Sequence, residues 1–131
     1  MKLVDTSAWV EFLRRAGDPR AKQAVARLLG DSLTAYTCPI RFELLSGVRA
    51  EEEADLQQAL GFSQHIRFEP DDWREAAALE RWLRNKGVKI PRNDLFVATV
   101  AIRTGLSLLC RDAHFNAITN ALGNKLKVDQ I

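Results

Sequence analysis

Apolar residues in this 131-residue chain alternate between short strand-like runs and longer segments with helical spacing. The strand-like runs are residues 2–4, 33–37, 66–68, 106–110 and 125–128. Between them, apolar positions recur three or four apart, as on one face of a helix. Strands that alternate with helices predict an α/β fold, an α/β/α sandwich around a central, mainly parallel five-stranded sheet.

Glycine follows each of seven segments that have helical character. Glycine after a helix readily adopts the left-handed conformation of a C-cap, so these positions predict seven helix ends: Gly17, Gly30, Gly47, Gly61, Gly87, Gly105 and Gly123. Residues 71–86 predict an amphipathic surface helix, whereas residues 95–102 are apolar nearly all round and predict a helix buried against the sheet.

Composition fits one folded domain spanning residues 1–131, since 47% of residues are hydrophobic and 27% are charged, without low-complexity runs. No basic, apolar signal segment opens the chain and no apolar run reaches membrane-spanning length, so we expect a cytoplasmic protein without membrane contact. Cys38 and Cys110 follow predicted strands and are expected to be buried, free thiols. If the first strand lies between those two strands, the thiols are about 9 to 10 Å apart, too far for a disulfide.

The net charge of +2, from 19 basic and 17 acidic residues, is too small to indicate a strongly basic nucleic-acid binder. The distribution of charge changes this picture. If four acids share one site, 19 positive charges face the remaining 13 negative ones. The excess of six is enough for a rim that contacts a phosphate backbone.

Three carboxylates are expected at the carboxyl edge of the sheet, where open α/β folds bind ligands. Asp5 ends the first strand, Asp112 follows the fourth, and Asp94 opens the helix that precedes the fourth strand. Glu43 lies about one turn into the helix after the second strand. Each acid alone has an ordinary alternative, as a turn residue, helix cap, helix-start anion or surface charge.

Four like charges at one edge would raise one another's pKa values, a state that bound cations relieve. Oxygen ligands favour Mg²⁺ or Mn²⁺ over Zn²⁺, and the only histidines, His65 and His114, form no zinc motif. Neither GxGxxG nor GK[ST] is present, so dinucleotide and P-loop sites are not indicated. Thr6 and Ser7 are expected to cap the first helix, leaving Asp5 free for a metal.

In order and spacing, four blocks resemble the PIN-domain ribonucleases, and the chain length resembles the VapC toxins of toxin–antitoxin operons. The blocks are residues 4–7 (VDTS), the helix of Glu43, residues 93–98 (NDLFVA) and residues 108–115 (LLCRDAHF). The resemblance implies that Asp5, Glu43, Asp94 and Asp112 are catalytic and hold one or two Mg²⁺ or Mn²⁺ ions, supported by the hydroxyl of Thr6. Two positions depart from the family pattern: Cys110 stands where Thr or Ser is frequent, and His114 where many members have another acid.

By this resemblance we expect a metal-dependent endoribonuclease that hydrolyses RNA to 5′-phosphate and 3′-hydroxyl ends, without a side-chain nucleophile. Arg92, Arg111 and His114 are candidate contacts to RNA phosphates, although the two arginines have the alternative of pairing with the four acids. The resemblance also implies a VapB-like antitoxin partner and a homodimer. The aromatic residues exceed the needs of one small core, so some are expected to face a partner: Trp9, Phe12, Trp73 and Trp82.

Two other functions stay open on the sequence. A receiver-like signalling domain also gathers acids around Mg²⁺ at the carboxyl edge of a parallel sheet, although it normally has an acidic pair after the first strand. The other is a catalytically silent module that binds RNA or an antitoxin.

Overall fold

A computed structural model describes residues 1–131, with five strands and seven α-helices. The strands are β1 (Lys2–Val4), β2 (Thr34–Thr37), β3 (Gln64–Ile66), β4 (Ser107–Cys110) and β5 (Val128–Gln130). The helices are α1 (Thr6–Leu13), α2 (Pro19–Gly30), α3 (Cys38–Gly47), α4 (Glu53–Gly61), α5 (Pro70–Asn85), α6 (Arg92–Thr104) and α7 (His114–Leu122). Short 3₁₀ helices cover Ala50–Glu52 and Gly123–Lys125.

The five strands form one sheet in the order β3-β2-β1-β4-β5, and every neighbouring pair is parallel. β1 is central, since Leu3 pairs with Ala35 on one side and Leu108 on the other. Leu3 and Val4 point to opposite faces and both are fully buried, which requires helices on both sides of the sheet. The predicted α/β/α sandwich is confirmed, and the first strand does lie between the strands that precede Cys38 and contain Cys110.

The core is a cluster of 24 buried apolar residues, and α6 is its main helical contributor. All residues from Val97 to Ala101 are buried, so this helix packs on the sheet with most of its circumference. The predicted buried helix is therefore confirmed. Its position fixes where its first turn, and hence Asp94, meets the carboxyl edge.

Two of the five strands lie a few residues away from their predicted positions. The third strand lies at Gln64–Ile66 rather than 66–68, because Phe68 leaves the sheet to pack edge-on against Trp73 at 4.8 Å and Phe96 at 5.4 Å. The fifth strand begins at Val128 rather than residue 125, since the chain first completes a 3₁₀ turn. Phe68 thus serves helix packing rather than strand pairing, and the start of the fifth strand is delayed by a turn of Gly, Asn and Lys.

Only three of the seven glycines have the positive φ that a left-handed cap requires, Gly87, Gly105 and Gly123, and Gly123 combines it with an extended ψ of −134°. Gly30, Gly47 and Gly61 are instead the last residues of α2, α3 and α4. Gly17 has a different requirement, since a Cβ there would lie 1.9 Å from the backbone oxygen of Glu11. Close backbone approach explains that glycine, and the prediction of a left-handed cap there is wrong.

The tryptophans differ from one another in solvent exposure, and so do the two cysteines. Trp9 is fully buried, whereas Trp73 and Trp82 are 59% and 39% exposed. Both cysteines are free, as predicted; Cys110 is buried, but Cys38 is exposed, contrary to expectation, with its sulfur 3.4 Å from His65 Nε2. None of the helices has the length and apolar character needed to cross a membrane.

Candidate metal centre

Asp5 directly follows β1 and is the N-cap of α1. Its Oδ2 accepts hydrogen bonds from the Ser7 backbone N–H at 3.0 Å and the Ser7 hydroxyl at 2.6 Å. The prediction that Thr6 and Ser7 cap this helix is wrong, because α1 already begins at Thr6 and the N–H of Ser7 donates to the carboxylate of the preceding Asp5. Asp5 thus serves as the cap and also carries its charge into the site.

The Asp5 carboxyl is only 4% exposed, and this burial raises its pKa to about 6. The two hydrogen bonds from Ser7 act in the opposite direction, while the charges of Asp94 and Glu43 raise the pKa further. A carboxylate in this position is poorly stabilised by the protein alone. Its environment favours either a proton or a cation.

Asp94 lies in the first turn of α6 and Asp112 is the second residue after β4, so both reach the edge where β1 ends. Burial raises the pKa of Asp94, the hydrogen bond with His114 lowers it, and the charges of Asp112 and Glu43 raise it. Asp94 is thus coupled to every other acid of the predicted set. The charges of Asp5, Glu43 and Asp112 therefore all act on or with that of Asp94 at this edge.

Thr6 connects α1 to α3. Its hydroxyl donates to Glu43 Oε1 at 2.9 Å, although the two residues are 37 positions apart in the chain. Glu43 is half-buried, and this hydrogen bond holds its carboxylate toward the end of β1 rather than toward solvent. The ordinary alternative of a freely solvated surface glutamate does not fit this contact.

His114 bridges two of the acids from the first residue of α7. Its Nδ1 lies 2.7 Å from Asp94 Oδ2 and 2.9 Å from Asp112 Oδ1. The hydrogen bond with Asp94 and the charges of both carboxylates raise the pKa of the imidazole. One ligand atom from each of these three residues lies within 4.8 Å of the others, a spacing able to hold a metal ion.

Ser7 has a second partner that the sequence did not reveal. Its hydroxyl accepts a hydrogen bond from the Arg111 backbone N–H at 2.9 Å while donating to Asp5. The loop after β4 is thereby attached to the end of β1. The Asp-x-Ser spacing, which commonly forms a local side-chain-to-backbone turn, was the available signal.

Neither candidate arginine pairs with the four acids, so that alternative is wrong. Arg111 lies 3.3 Å from Asp18 and 4.0 Å from Glu11, and Arg92 lies 3.4 Å from Glu80. Both arginines remain near the site through their backbone positions.

The donor set fits Mg²⁺ or Mn²⁺. Four carboxylates offer hard oxygen ligands, and the buried Asp5 lacks a positively charged side-chain partner. Burial raises the pKa of the Cys110 thiol to about 12, which disfavours a thiolate at that position.

Comparison with known proteins gives the class to which this fold and site belong. The family model of the PIN domain matches residues 2–121. The chain therefore belongs to the PIN domain family. The receiver-like alternative is excluded by this membership.

Individual relatives show which members of the PIN domain family this chain is similar to. VapC ribonuclease Mb1587 of Mycobacterium bovis and ribonuclease VapC11 of Mycobacterium tuberculosis are each 36% identical over 123 residues, 90% of this chain and 91% of theirs. Ribonuclease VapC19 of Mycobacterium tuberculosis is 34% identical over 118 residues, 88% of this chain and 92% of its own. Within the PIN domain family, the chain is thus similar to VapC proteins over nearly its whole length.

Solved structures show the same fold. The VapBC2 complex of Rickettsia felis, bound to a promoter DNA fragment, contains a chain with a TM-score of 0.78 at 18% identity, covering 99% of this chain and 98% of that one. FitAcB of Neisseria gonorrhoeae matches with a TM-score of 0.77 at 20% identity, covering 98% and 96%. The arrangement of strands and helices is therefore common to proteins of low sequence similarity.

Proposed function

We propose that this protein is a metal-dependent endoribonuclease, the toxin of a type II toxin–antitoxin module. The observation that carries the proposal is the buried carboxyl of Asp5, whose pKa is raised to about 6 beside Asp94 and Glu43. Such a group is unfavourable in a purely structural role, but it is suited to binding a divalent ion. Membership of the PIN domain family and similarity to VapC ribonucleases support the choice of RNA as substrate.

Asp5, Asp94 and Asp112 would hold one or two Mg²⁺ or Mn²⁺ ions, with Glu43 as a further ligand or orienting group. When bound, the divalent ions supply Lewis acidity that lowers the pKa of the attacking water and stabilises the departing oxygen. Ser7 orients Asp5, and Thr6 orients Glu43. The side chains thus arrive in fixed positions before a substrate binds.

Water is the nucleophile in this proposal, and the products carry 5′-phosphate and 3′-hydroxyl ends. The nearby nucleophilic side chains are already engaged. The Ser7 hydroxyl donates a hydrogen bond to Asp5. Burial raises the pKa of the Cys110 thiol, so this thiol stays protonated. His114 is held by two carboxylates and is proposed to contact an RNA phosphate as the strand enters.

A VapB-like antitoxin and a second copy of this chain are the proposed partners, acting in the cytoplasm. Chains of the same fold occur in VapBC complexes, which supports the antitoxin. Trp73, 59% exposed and in contact with Phe68 and Phe96, supplies a surface of the kind that partners cover.

The test is cleavage of total RNA by purified protein with Mg²⁺ or Mn²⁺, followed by mapping of the cut ends. Wild type should cut, while EDTA or Asp94→Asn should abolish cutting because the charge of a ligand is lost. Circular dichroism should show that the variant remains folded. Full activity of Asp94→Asn, or metal binding by calorimetry without any cleavage, would overturn the proposal, the latter in favour of a catalytically silent module.

A further inference from the structure

A cavity of about 630 Å³ lies between the end of α5 and the start of α6, beside the candidate metal centre. We call it the α5–α6 cavity. Its wall includes His114, whose Nδ1 contacts both Asp94 and Asp112. The cavity therefore adjoins the acids through one shared side chain.

The turn after α5 builds one wall of this cavity. Gly87 has φ +77°. Its N–H donates a hydrogen bond to Arg84 O at 3.0 Å, and the N–H of Val88 donates one to Leu83 O at 2.9 Å. These paired bonds form a Schellman motif, which reverses the chain and brings the residue after the glycine back against the last helical turn. As a result, Val88 and Leu83 lie side by side in the lining.

The floor of the cavity is apolar. Leu83 and Leu95 are 1% and 2% exposed, and Val88 and Ile90 are half-buried around them. Val88 and Ile90 supply the accessible apolar surface, and the buried leucines support it from below. Aliphatic side chains of this kind cover the flat face of a nucleobase without selecting its hydrogen-bonding edge. The floor thus predicts contact with a base and little discrimination between bases.

The rim of the cavity is cationic. Arg84, Lys89 and Arg92 line it, together with one acid, Glu80. Glu80 lies 3.9 Å from Arg84 Nη1 and 3.4 Å from Arg92 Nε, so it holds both guanidinium groups at the rim. Lys89 forms no ion pair and is exposed. Three positive charges against one negative charge leave an excess of two beside the acidic site.

We propose that the α5–α6 cavity binds the single-stranded nucleotide that flanks the scissile phosphate of an RNA substrate. The apolar floor receives the base, and Lys89, with the two arginines, receives the neighbouring phosphates. Such a combination of a positive groove with a surface for base faces is how proteins hold single strands. This inference rests on the proposed ribonuclease function, because the strand must pass the metal centre to reach the cavity.

The chain offers a closely matched pair of variants, Lys89→Gln and Lys86→Gln. Both remove one exposed positive charge from the same turn, but Lys86 does not line the cavity and instead lies 5.2 Å from the centroid of the Trp82 ring. Long-range attraction to RNA is reduced equally by the two changes. Only a bound phosphate in the cavity distinguishes them.

Binding is measured by fluorescence anisotropy with a fluorescein-labelled 12-nucleotide single-stranded RNA containing 4-thiouridine. The Asp94→Asn background with Mg²⁺ is used so that the probe is not cut. Lys89→Gln should raise the dissociation constant by on the order of three- to tenfold and reduce the slope of log K against log salt by about 0.7. Lys86→Gln should stay within about twofold of the parent, and photocrosslinks should map to residues 83–92.

In the otherwise wild-type protein, Lys89→Gln should raise KM for RNA cleavage with little change in kcat. Equal effects of Lys86→Gln and Lys89→Gln, or crosslinks elsewhere, overturn the cavity assignment even if wild type cleaves RNA. Loss of affinity for poly-glutamate but not RNA in Lys89→Gln overturns it in favour of an acidic peptide. Lys89-dependent RNA binding by a wild-type protein that does not cut RNA supports the cavity and refutes the proposed activity.

Discussion

Replacing Asp5 by Asn tests the energetic state of the site without metal. The amide has nearly the shape of the carboxyl, and its oxygen accepts the same hydrogen bonds from Ser7, but it carries no charge. In the wild-type protein, burial raises the pKa of Asp5 from the ordinary value of 3.8 to about 6. Between pH 3.8 and about pH 6, the folded protein therefore keeps a proton on Asp5 that the unfolded chain has already released.

The sign of the pH effect follows from proton linkage. Where the native state holds more protons than the unfolded state, stability falls as pH rises. A pKa that moves from 3.8 to about 6 corresponds to about 3 kcal/mol at 1.36 kcal/mol per pH unit. Asp5→Asn should thus gain up to about 3 kcal/mol over metal-free wild type at pH 7.5, and little at pH 4.

Thermal melts of both proteins in EDTA, from pH 4 to 7.5, measure this difference. In the wild type, the raised pKa values of Asp94 and His114 change stability in the same direction, so the comparison with the variant reports Asp5 together with the effect of its charge on Asp94. Addition of Mn²⁺ at pH 7.5 should raise the melting temperature of wild type and leave that of Asp5→Asn nearly unchanged. A variant that is less stable than metal-free wild type at pH 7.5 would refute the reasoning.

Two further predictions concern the structure outside the site. Asp72→Asn should destabilise the protein by about 2 kcal/mol in chemical denaturation, because the buried carboxylate makes two bonds with Arg103, at 2.8 and 3.0 Å. The exposed neighbour provides the control Asp71→Asn, and equal small effects would contradict the role of the ion pair. Iodoacetamide should modify Cys38 in the native protein and Cys110 only after unfolding, since burial raises the pKa of the latter to about 12. Mass spectrometry distinguishes the two thiols, and equal native rates would count against the described burial.

The fold, and the expectation that the acidic residues share one sheet edge, could be predicted from the sequence for one reason. Asp5, Asp94 and Asp112 each stand at the end of a strand or the start of a helix, and local apolar patterns locate such points well. Parallel topology then places these points on one edge. Glu43 could be added because its position in α3 is fixed relative to the end of β2.

The contacts within the site were less accessible from sequence. Whether Asp5 or Thr6 caps α1 depends on where the helix starts, and it starts at Thr6, within the pair of residues that was expected to precede it. The partners of Arg111 are Glu11 and Asp18, about 100 positions earlier, and only the docking of helices against the sheet determines such pairs. The α5–α6 cavity likewise depends on the turn at Gly87, whose left-handed conformation was expected but whose packing consequence was not.

The central position of β1 has a consequence for the protein during its synthesis. Asp5 leaves the ribosome first, but β1 pairs with β4, and the hydrogen bond from Arg111 to Ser7 joins residues 104 positions apart. Asp94 and Asp112 join Asp5 only when that late strand has docked. A nascent chain therefore carries no complete acidic cluster, and under the proposed function RNA cleavage begins only after nearly the entire polypeptide has been made.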